Sequence, residues 1–104
     1  MTTIFVYVTC SSREEAGKIA DGLVGLGLAA CVNIMAPHES VYRWQGKVEK
    51  APEIGILIKT RNDLFEAAKD KVLSLHSYDC PCIVSWPIEK GHAAYLDWIK
   101  AETS

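Results

Sequence analysis

The sequence predicts an α+β domain, a sandwich of βαββαβ order with an extra C-terminal helix. Three observations lead there. Segments of strand and helix character alternate as β-α-β, β-α-β and then a helix. The second and third strands form an unusually long hairpin. The length of 104 residues fits one domain, residues 1–104, and leaves no room for a second core.

Residues 3–9 (TIFVYVT) are β-branched or aromatic almost throughout, which suits a central strand buried on both faces. Ser12 and Glu15 then form an S-x-x-E capping box that announces a helix. Ala16, Ile19, Ala20, Leu23 and Leu26 give that helix an apolar face at i, i+3, i+4, i+7 spacing. Gly27 stands where a left-handed C-cap residue is wanted and ends it. Residues 28–35 (LAACVNIM) return as a strand with Ala30, Val32 and Ile34 on one face. Pro37 has no N–H to donate, so pairing must break or bulge there.

Ser40 to Gln45 extends again, with Tyr42 and Trp44 on one face and Val41 and Arg43 on the other. Gly46 accepts positive φ in the turn Gln45-Gly46-Lys47. A third strand runs from Val48 to Thr60, interrupted at Pro52, with Ile54, Ile56 and Ile58 alternating against Gly55, Leu57 and Lys59. Asn62 is placed to cap a second helix over 63–75, whose stripe is Leu64, Phe65, Ala68, Val72 and Leu75. Residues 82–88 (CIVSWPI) form a fourth strand, and a helix over 92–101 buries Tyr95, Trp98 and Ile99. Right-handed crossovers turn this order into the ferredoxin-like sandwich, one antiparallel sheet with two helices on one face.

Composition excludes several classes of partner. With 11 basic and 13 acidic residues the net charge is -2, so there is no basic stripe for nucleic acid and no polybasic membrane patch. No apolar run approaches the ~20 residues that span a bilayer. The opening MTTIFVYVTC has no basic n-region and is too short for a signal h-region, so a cytoplasmic protein is expected. In that reducing compartment Cys10, Cys31, Cys80 and Cys82 are thiols, either core residues or metal ligands. Residues i and i+2 of a strand lie roughly 6.6 Å apart, which spaces Cys80 and Cys82 badly for a disulfide.

The hairpin over residues 28–60 predicts an oligomer. A typical strand has about 5–6 residues, and each arm here runs to more than twice that. A single sheet cannot cover such arms, so Tyr42 and Trp44 would stand exposed in a lone protomer. Burial against another subunit is the expected outcome, with a ligand surface as the alternative.

The residues also match a known pattern. A-A-C-V-N-I at 29–34, S-V-Y-R-W-Q-G-K-V-E at 40–49, I-K-T at 58–60, H-S-Y-D at 76–79, P-I at 87–88 and G-x3-Y-L-x-W-I at 91–99 strongly resemble the CutA divalent-cation-tolerance proteins. The resemblance runs from residue 4 to about residue 100. It implies a ferredoxin-like protomer in a compact homotrimer whose long hairpins exchange edge contacts. It also implies a link to copper and other divalent metals, and a likeness to PII-type signalling trimers. One departure stands out: Pro81-Cys82-Ile83 occupies the place where many members read P-E-I, so a thiol replaces an acidic pocket residue.

The candidate chemistry is metal ligation. His76, Asp79, Cys80 and Cys82 fall within seven residues between the second helix and fourth strand. Two thiolates of a C-x-C on one side of a strand can converge on one ion, since sulfurs bound at about 2.3 Å sit roughly 4 Å apart. Imidazole and thiolate suit Cu(I) or Zn(II). The bland alternative makes Cys82 a small core residue and Cys80 a loop residue. Cys10 ends the first strand just before a helix N-terminus, whose dipole lowers a thiol pKa. Cys31 reads as core. Trp44, Tyr42, Glu53, Lys59 and Tyr78 are expected to line a cleft between subunits, where hairpins and strand ends meet.

An enzyme is not expected. G-x-S-x-G, P-loop, G-x-G-x-x-G and H-E-x-x-H motifs are all missing. Arg13 lies after the first strand but lacks the glycine of a phosphate cradle. The expectation is a cytosolic homotrimer that binds copper or zinc ions through His and Cys side chains, without organic cofactor, nucleic acid or membrane. The alternative is a PII-like regulatory trimer whose inter-subunit clefts take a small ligand or protein partner, and beyond it a purely structural scaffold.

Overall fold

A computed structural model describes residues 2–104. In chain order come β1 (Thr3–Cys10), α1 (Arg13–Gly25), β2 (Cys31–Trp44), β3 (Lys47–Arg61), α2 (Phe65–Leu75), β4 (Ile83–Pro87) and α3 (Ala93–Ala101). The sheet order is β2-β3-β1-β4 with every neighbour antiparallel, which is the ferredoxin-like α+β arrangement.

The core follows from period-two alternation. Ile4, Val6, Val8 and Cys10 of β1 pair with Thr60, Ile58, Ile56 and Ile54 of β3. None of these eight is more than 6% exposed. Ala16, Ile19 and Leu23 of α1 and Ala68 and Val72 of α2 close over that face. The opposite face of β1, Phe5, Tyr7 and Thr9, is half-buried, so β1 is not buried on both sides as its composition suggests. α3 reaches this more open face, where the Lys59 ammonium donates to the Tyr95 hydroxyl at 3.0 Å.

Helix boundaries show where local chemistry decides. The Ser12 hydroxyl accepts the Glu15 N–H at 3.1 Å and starts α1. Gly27, at φ 72, closes it. Leu26 is the C-cap and stands 59% exposed, because the backbone turns away before that position faces the core. Asn62 does not cap α2. It enters a 3-10 turn, Asn62–Leu64, and spends its backbone N–H on the Thr2 carbonyl. At the C-terminus Ile99 is fully buried, whereas Trp98 remains 42% exposed. β4 begins at Ile83, one residue later than expected, and leaves Cys82 in the preceding loop.

The hairpin is continuous. Gln45 (φ 50) and Gly46 (φ 80) make a two-residue turn with both φ positive, matched to the twist of the strands. That turn pairs Trp44 with Lys47, Tyr42 with Glu49, Ser40 with Ala51 and His38 with Glu53. The expected irregularity at Pro37 is present as a register shift between Ile34 and Pro37. Pro52 causes no interruption and sits opposite Glu39. β1 ends its pairing at Ile54, so beyond it β3 has an open edge that tolerates a residue without an N–H. Past Ile54 the two strands form a free ribbon in which residues 41–50 are all exposed. The radius of gyration is accordingly 14.2 Å, against about 12.9 Å for a compact domain of this length.

Ile56 has no exposed surface and sits at the centre of the sheet. Ile56→Ala is expected to lower unfolding free energy by about 2–5 kcal/mol, measured by urea denaturation at fixed protein concentration. A loss below about 1 kcal/mol would place the core elsewhere.

Candidate functional site

The site is assembled by the loop between α2 and β4, which two side chains fasten to the end of β1. The His76 ring donates from Nε2 to the Thr9 carbonyl at 2.8 Å and accepts the Tyr78 N–H at Nδ1, 3.1 Å away. This pattern assigns the neutral Nε2–H tautomer and leaves neither nitrogen idle. The Glu15 carboxylate accepts from the Ser11 N–H (2.9 Å), the Ser11 hydroxyl (3.1 Å) and the Ser77 N–H (2.8 Å). Burial alone would raise the Glu15 carboxyl, but the hydrogen bonds from Ser77 and Ser11 outweigh it and hold it below the usual range.

So fastened, the loop crosses the end of the sheet and delivers Tyr78, Asp79, Cys80 and Cys82 to the face that α1 and α2 leave open. The Tyr78 hydroxyl donates to Glu53 Oε2 at 2.8 Å, and the Ser40 hydroxyl donates to Glu53 Oε1 at 2.5 Å. Between ribbon and loop lies a cavity of about 570 Å³. Ser40, Tyr42, Trp44, Glu49 and Glu53 line it from the ribbon, and Tyr78, Asp79, Cys80 and Cys82 from the loop, with Thr9 between. Gly55 is required beside it. A Cβ there would lie 2.8 Å from the Tyr7 hydroxyl and 3.0 Å from its ring.

Electrostatically the cavity is acidic. Glu49, Glu53 and Asp79 line it, and among the described residues no Lys, Arg or His does. Burial first, then hydrogen bonding to Glu53, pushes the Tyr78 hydroxyl well above its ordinary range, which keeps it a donor. Burial and then the Glu53 charge also raise the Cys82 thiol. The expected residues Tyr42, Trp44, Glu53, Tyr78, Asp79, Cys80 and Cys82 therefore meet in one protomer.

Other expected residues lie elsewhere. Lys59 is opposite Phe5 and Cys31 in the sheet, with its ammonium 5.4 Å from the ring centroids of Phe5 and Tyr95. His76 points toward β1 rather than toward Cys80 and Cys82. Among the described residues, Cys10, Glu15 and His76 form a group of three whose ligand atoms lie within 4.8 Å of one another. Cys10 corrects an expectation. Its thiol is not lowered by the helix dipole but pushed up to about 12, by burial first and then by Glu15 and Glu53. Cys31 is half-buried on the edge strand rather than in the core, while Cys80 and Cys82 are both exposed.

Thr9, Ser40 and Glu49 line the cavity in addition to the residues expected there. Counting outward from the two-residue turn places Glu49 opposite Tyr42 and so finds it. Ser40 follows likewise, since it is two and four residues from Tyr42 and Trp44 on one strand face, whereas Thr9 carries no such local signal.

Comparison with known proteins agrees with the fold. Residues 4–102 match the family described as CutA1 divalent ion tolerance protein. The divalent-cation tolerance protein CutA of Archaeoglobus fulgidus is 47% identical over 95 residues, which are 91% of this chain and 92% of that one. The chloroplastic protein CutA of Arabidopsis thaliana is 45% identical over 97% of this chain, which spans only 56% of the plant protein. Among solved structures, the divalent cation tolerance protein from Thermus thermophilus superposes with a TM-score of 0.96 at 43% identity, covering 98% of this chain and 99% of that one. The structure of the periplasmic divalent cation tolerance protein CutA from Archaeoglobus fulgidus gives a TM-score of 0.93 at 45% identity, covering 96% and 97%.

Cys10 supplies a pH test. A thiol raised from 9.0 to about 12 in the fold stabilises fully below 9.0 and loses that contribution as pH rises toward about 12. Melting temperature is expected to fall across that window, and Cys10→Ala should flatten the slope. An unchanged slope in the variant would remove Cys10 as its source.

Proposed function

This chain belongs to the CutA1 divalent ion tolerance family, and we propose that it acts as a cytosolic homotrimer that holds copper on the thiols of Cys80 and Cys82. The observation that carries the reading is their placement. Two exposed thiols, separated by Pro81, line the same cavity as Asp79 and Glu53. Soft thiolate ligands select Cu(I), and two of them can hold a monovalent ion. Asp79 is the nearest hard donor in sequence and would join them for zinc, which prefers four ligands. His76 acts as the anchor of the loop, since ligation would cost it the hydrogen bond to Thr9 or Tyr78. Cys10, wholly buried and holding its proton, is the least suited of the candidate thiols.

The trimer is supported by what the ribbon exposes. Val41, Tyr42, Trp44 and Val48 are 40–65% exposed, and Val84 and Trp86 stand exposed on β4. Such surface on a free two-stranded ribbon favours burial against further copies. The clefts between copies would then be bounded by Trp44, Tyr42, Glu53, Tyr78 and Lys59. The cavity's volume also favours a second reading, a PII-like regulatory trimer that takes a small ligand there.

Burial and Glu53 keep Cys82 protonated in the free protein, so metal binding must displace a thiol proton. Titration of Cu(I) into reduced protein is expected to saturate at one ion per protomer with release of protons. Cys80→Ser/Cys82→Ser should lose this binding by at least about a hundredfold, equivalent to about 2.7 kcal/mol. Undiminished binding in the double variant would show that the thiols are not the ligands.

A further inference from the structure

Cys80 and Cys82 are both exposed and line the same cavity, with Pro81 alone between them. The other two thiols are placed differently, Cys10 wholly buried in the core and Cys31 half-buried on the edge strand β2. An exposed thiol whose neighbour two residues on is a second thiol has a resolving partner at hand once it is oxidised.

The spacing in sequence argues against a bridge only while both residues belong to a strand, where i and i+2 lie roughly 6.6 Å apart. Neither residue does. β4 begins at Ile83, and the backbone bends at Asp79 and Cys80 before reaching it. Pro81 is held by its ring at a φ of about −65°. A residue with that φ spaces its two neighbours as polyproline II or a turn does, at roughly 6.2 Å or less. A disulfide takes Cα atoms about 4.4–6.8 Å apart, so the loop meets the requirement without moving the sheet. Both side chains reach one cavity, and the two sulfurs therefore face a common space.

We propose that Cys80 and Cys82 are a peroxide-sensitive dithiol that closes to a disulfide within one chain. One thiolate attacks a peroxide oxygen: an S–O bond forms, the O–O bond breaks and hydroxide leaves. The second thiolate attacks that sulfur, so the S–S bond forms, the S–O bond breaks and a second hydroxide leaves. The two thiol protons convert both hydroxides to water. The peroxide gains two electrons, and the two sulfurs together lose two. A cleft between copies that admits a copper ion also admits hydrogen peroxide, so assembly does not block the step. The effect on copper rests on the metal reading above: a disulfide has no thiolate left for Cu(I), and oxidation releases the ion.

The assembled protein, free of copper, is treated with a few equivalents of hydrogen peroxide, alkylated and digested with trypsin. Residues 72–90 leave as one peptide, cut after Lys71 and Lys90, with Cys80 and Cys82 as its only cysteines. That peptide is expected unalkylated and lighter by two hydrogens, and dithiothreitol should restore two alkylatable thiols. Cys31→Ser should behave as the parent does, and Cys80→Ser should give no such mass. Cu(I) affinity of the oxidised parent should fall by at least about a hundredfold, as in Cys80→Ser/Cys82→Ser, and return on reduction. Sulfinic or sulfonic acid at both cysteines, a link between chains, or two intact thiols would each overturn the proposal. Unchanged Cu(I) binding by the linked form would contradict the release. The mass readout involves no copper, so a linked pair in a protein whose reduced form binds no Cu(I) would sink the copper site and leave the disulfide standing.

Discussion

The structure depends on one mismatch of length: β3 remains paired with β2 for the whole hairpin but pairs with β1 only as far as Ile54. On the sheet side of that point, alternation divides residues between a helix-covered core and a more open face. Beyond it, the α2–β4 loop reaches only the base of the ribbon, and residues 41–50 are all exposed in the protomer. Apolar and aromatic side chains there keep 40–65% of their surface exposed, so they remain available for burial elsewhere. The cavity, the exposed rings and the unpaired strand edge all descend from that overhang.

The second determinant is how the loop after α2 is held against the overhang. Glu15 belongs to the capping sequence of α1, yet its carboxylate also binds Ser77, 62 residues later. His76 ties the same loop to the last turn of β1 through Thr9. The His76–Thr9 bond contributes about 0.5–1.5 kcal/mol net and the bond to the Glu15 carboxylate about 1.5–3 kcal/mol. Together they fix a segment that would otherwise wander, and so bring Tyr78 within reach of Glu53. A sheet-end carboxylate is thereby converted into an oriented acceptor facing the cavity.

Much of the fold is legible in the sequence because short-range chemistry decides it. Ser12, Gly27, Gly46 and Pro37 each act within a few residues, and each marks the feature expected of it. The failures share a different cause. Asn62 reads as a cap, but a bond to Thr2 across the sheet claims its backbone first. Pro52 reads as a break, but the harm of a missing N–H depends on whether a third strand is present. The ligand roles of His76 and Cys10 are a separate matter, since their ligand atoms gather with those of Glu15 within 4.8 Å. Their environments, two committed ring nitrogens and a burial that pushes the thiol to about 12, come from contacts distant in sequence. Tyr42, Trp44, Glu53 and Tyr78 follow from residue type and hairpin length, whereas Glu49 needs the register. Lys59 alternates with Ile58 as expected, and in the protomer its ammonium donates to Tyr95 of α3.

A ribbon that exposes Val41, Tyr42, Trp44 and Val48 finds cover only if like molecules supply it, and that is the point on which the functional reading turns. Sedimentation equilibrium at micromolar concentration measures it directly. A single species at three times the 11.5 kDa protomer mass is the expected result. A folded species that stays at 11.5 kDa would contradict it, leaving the ribbon as a free surface and the clefts between subunits without a basis.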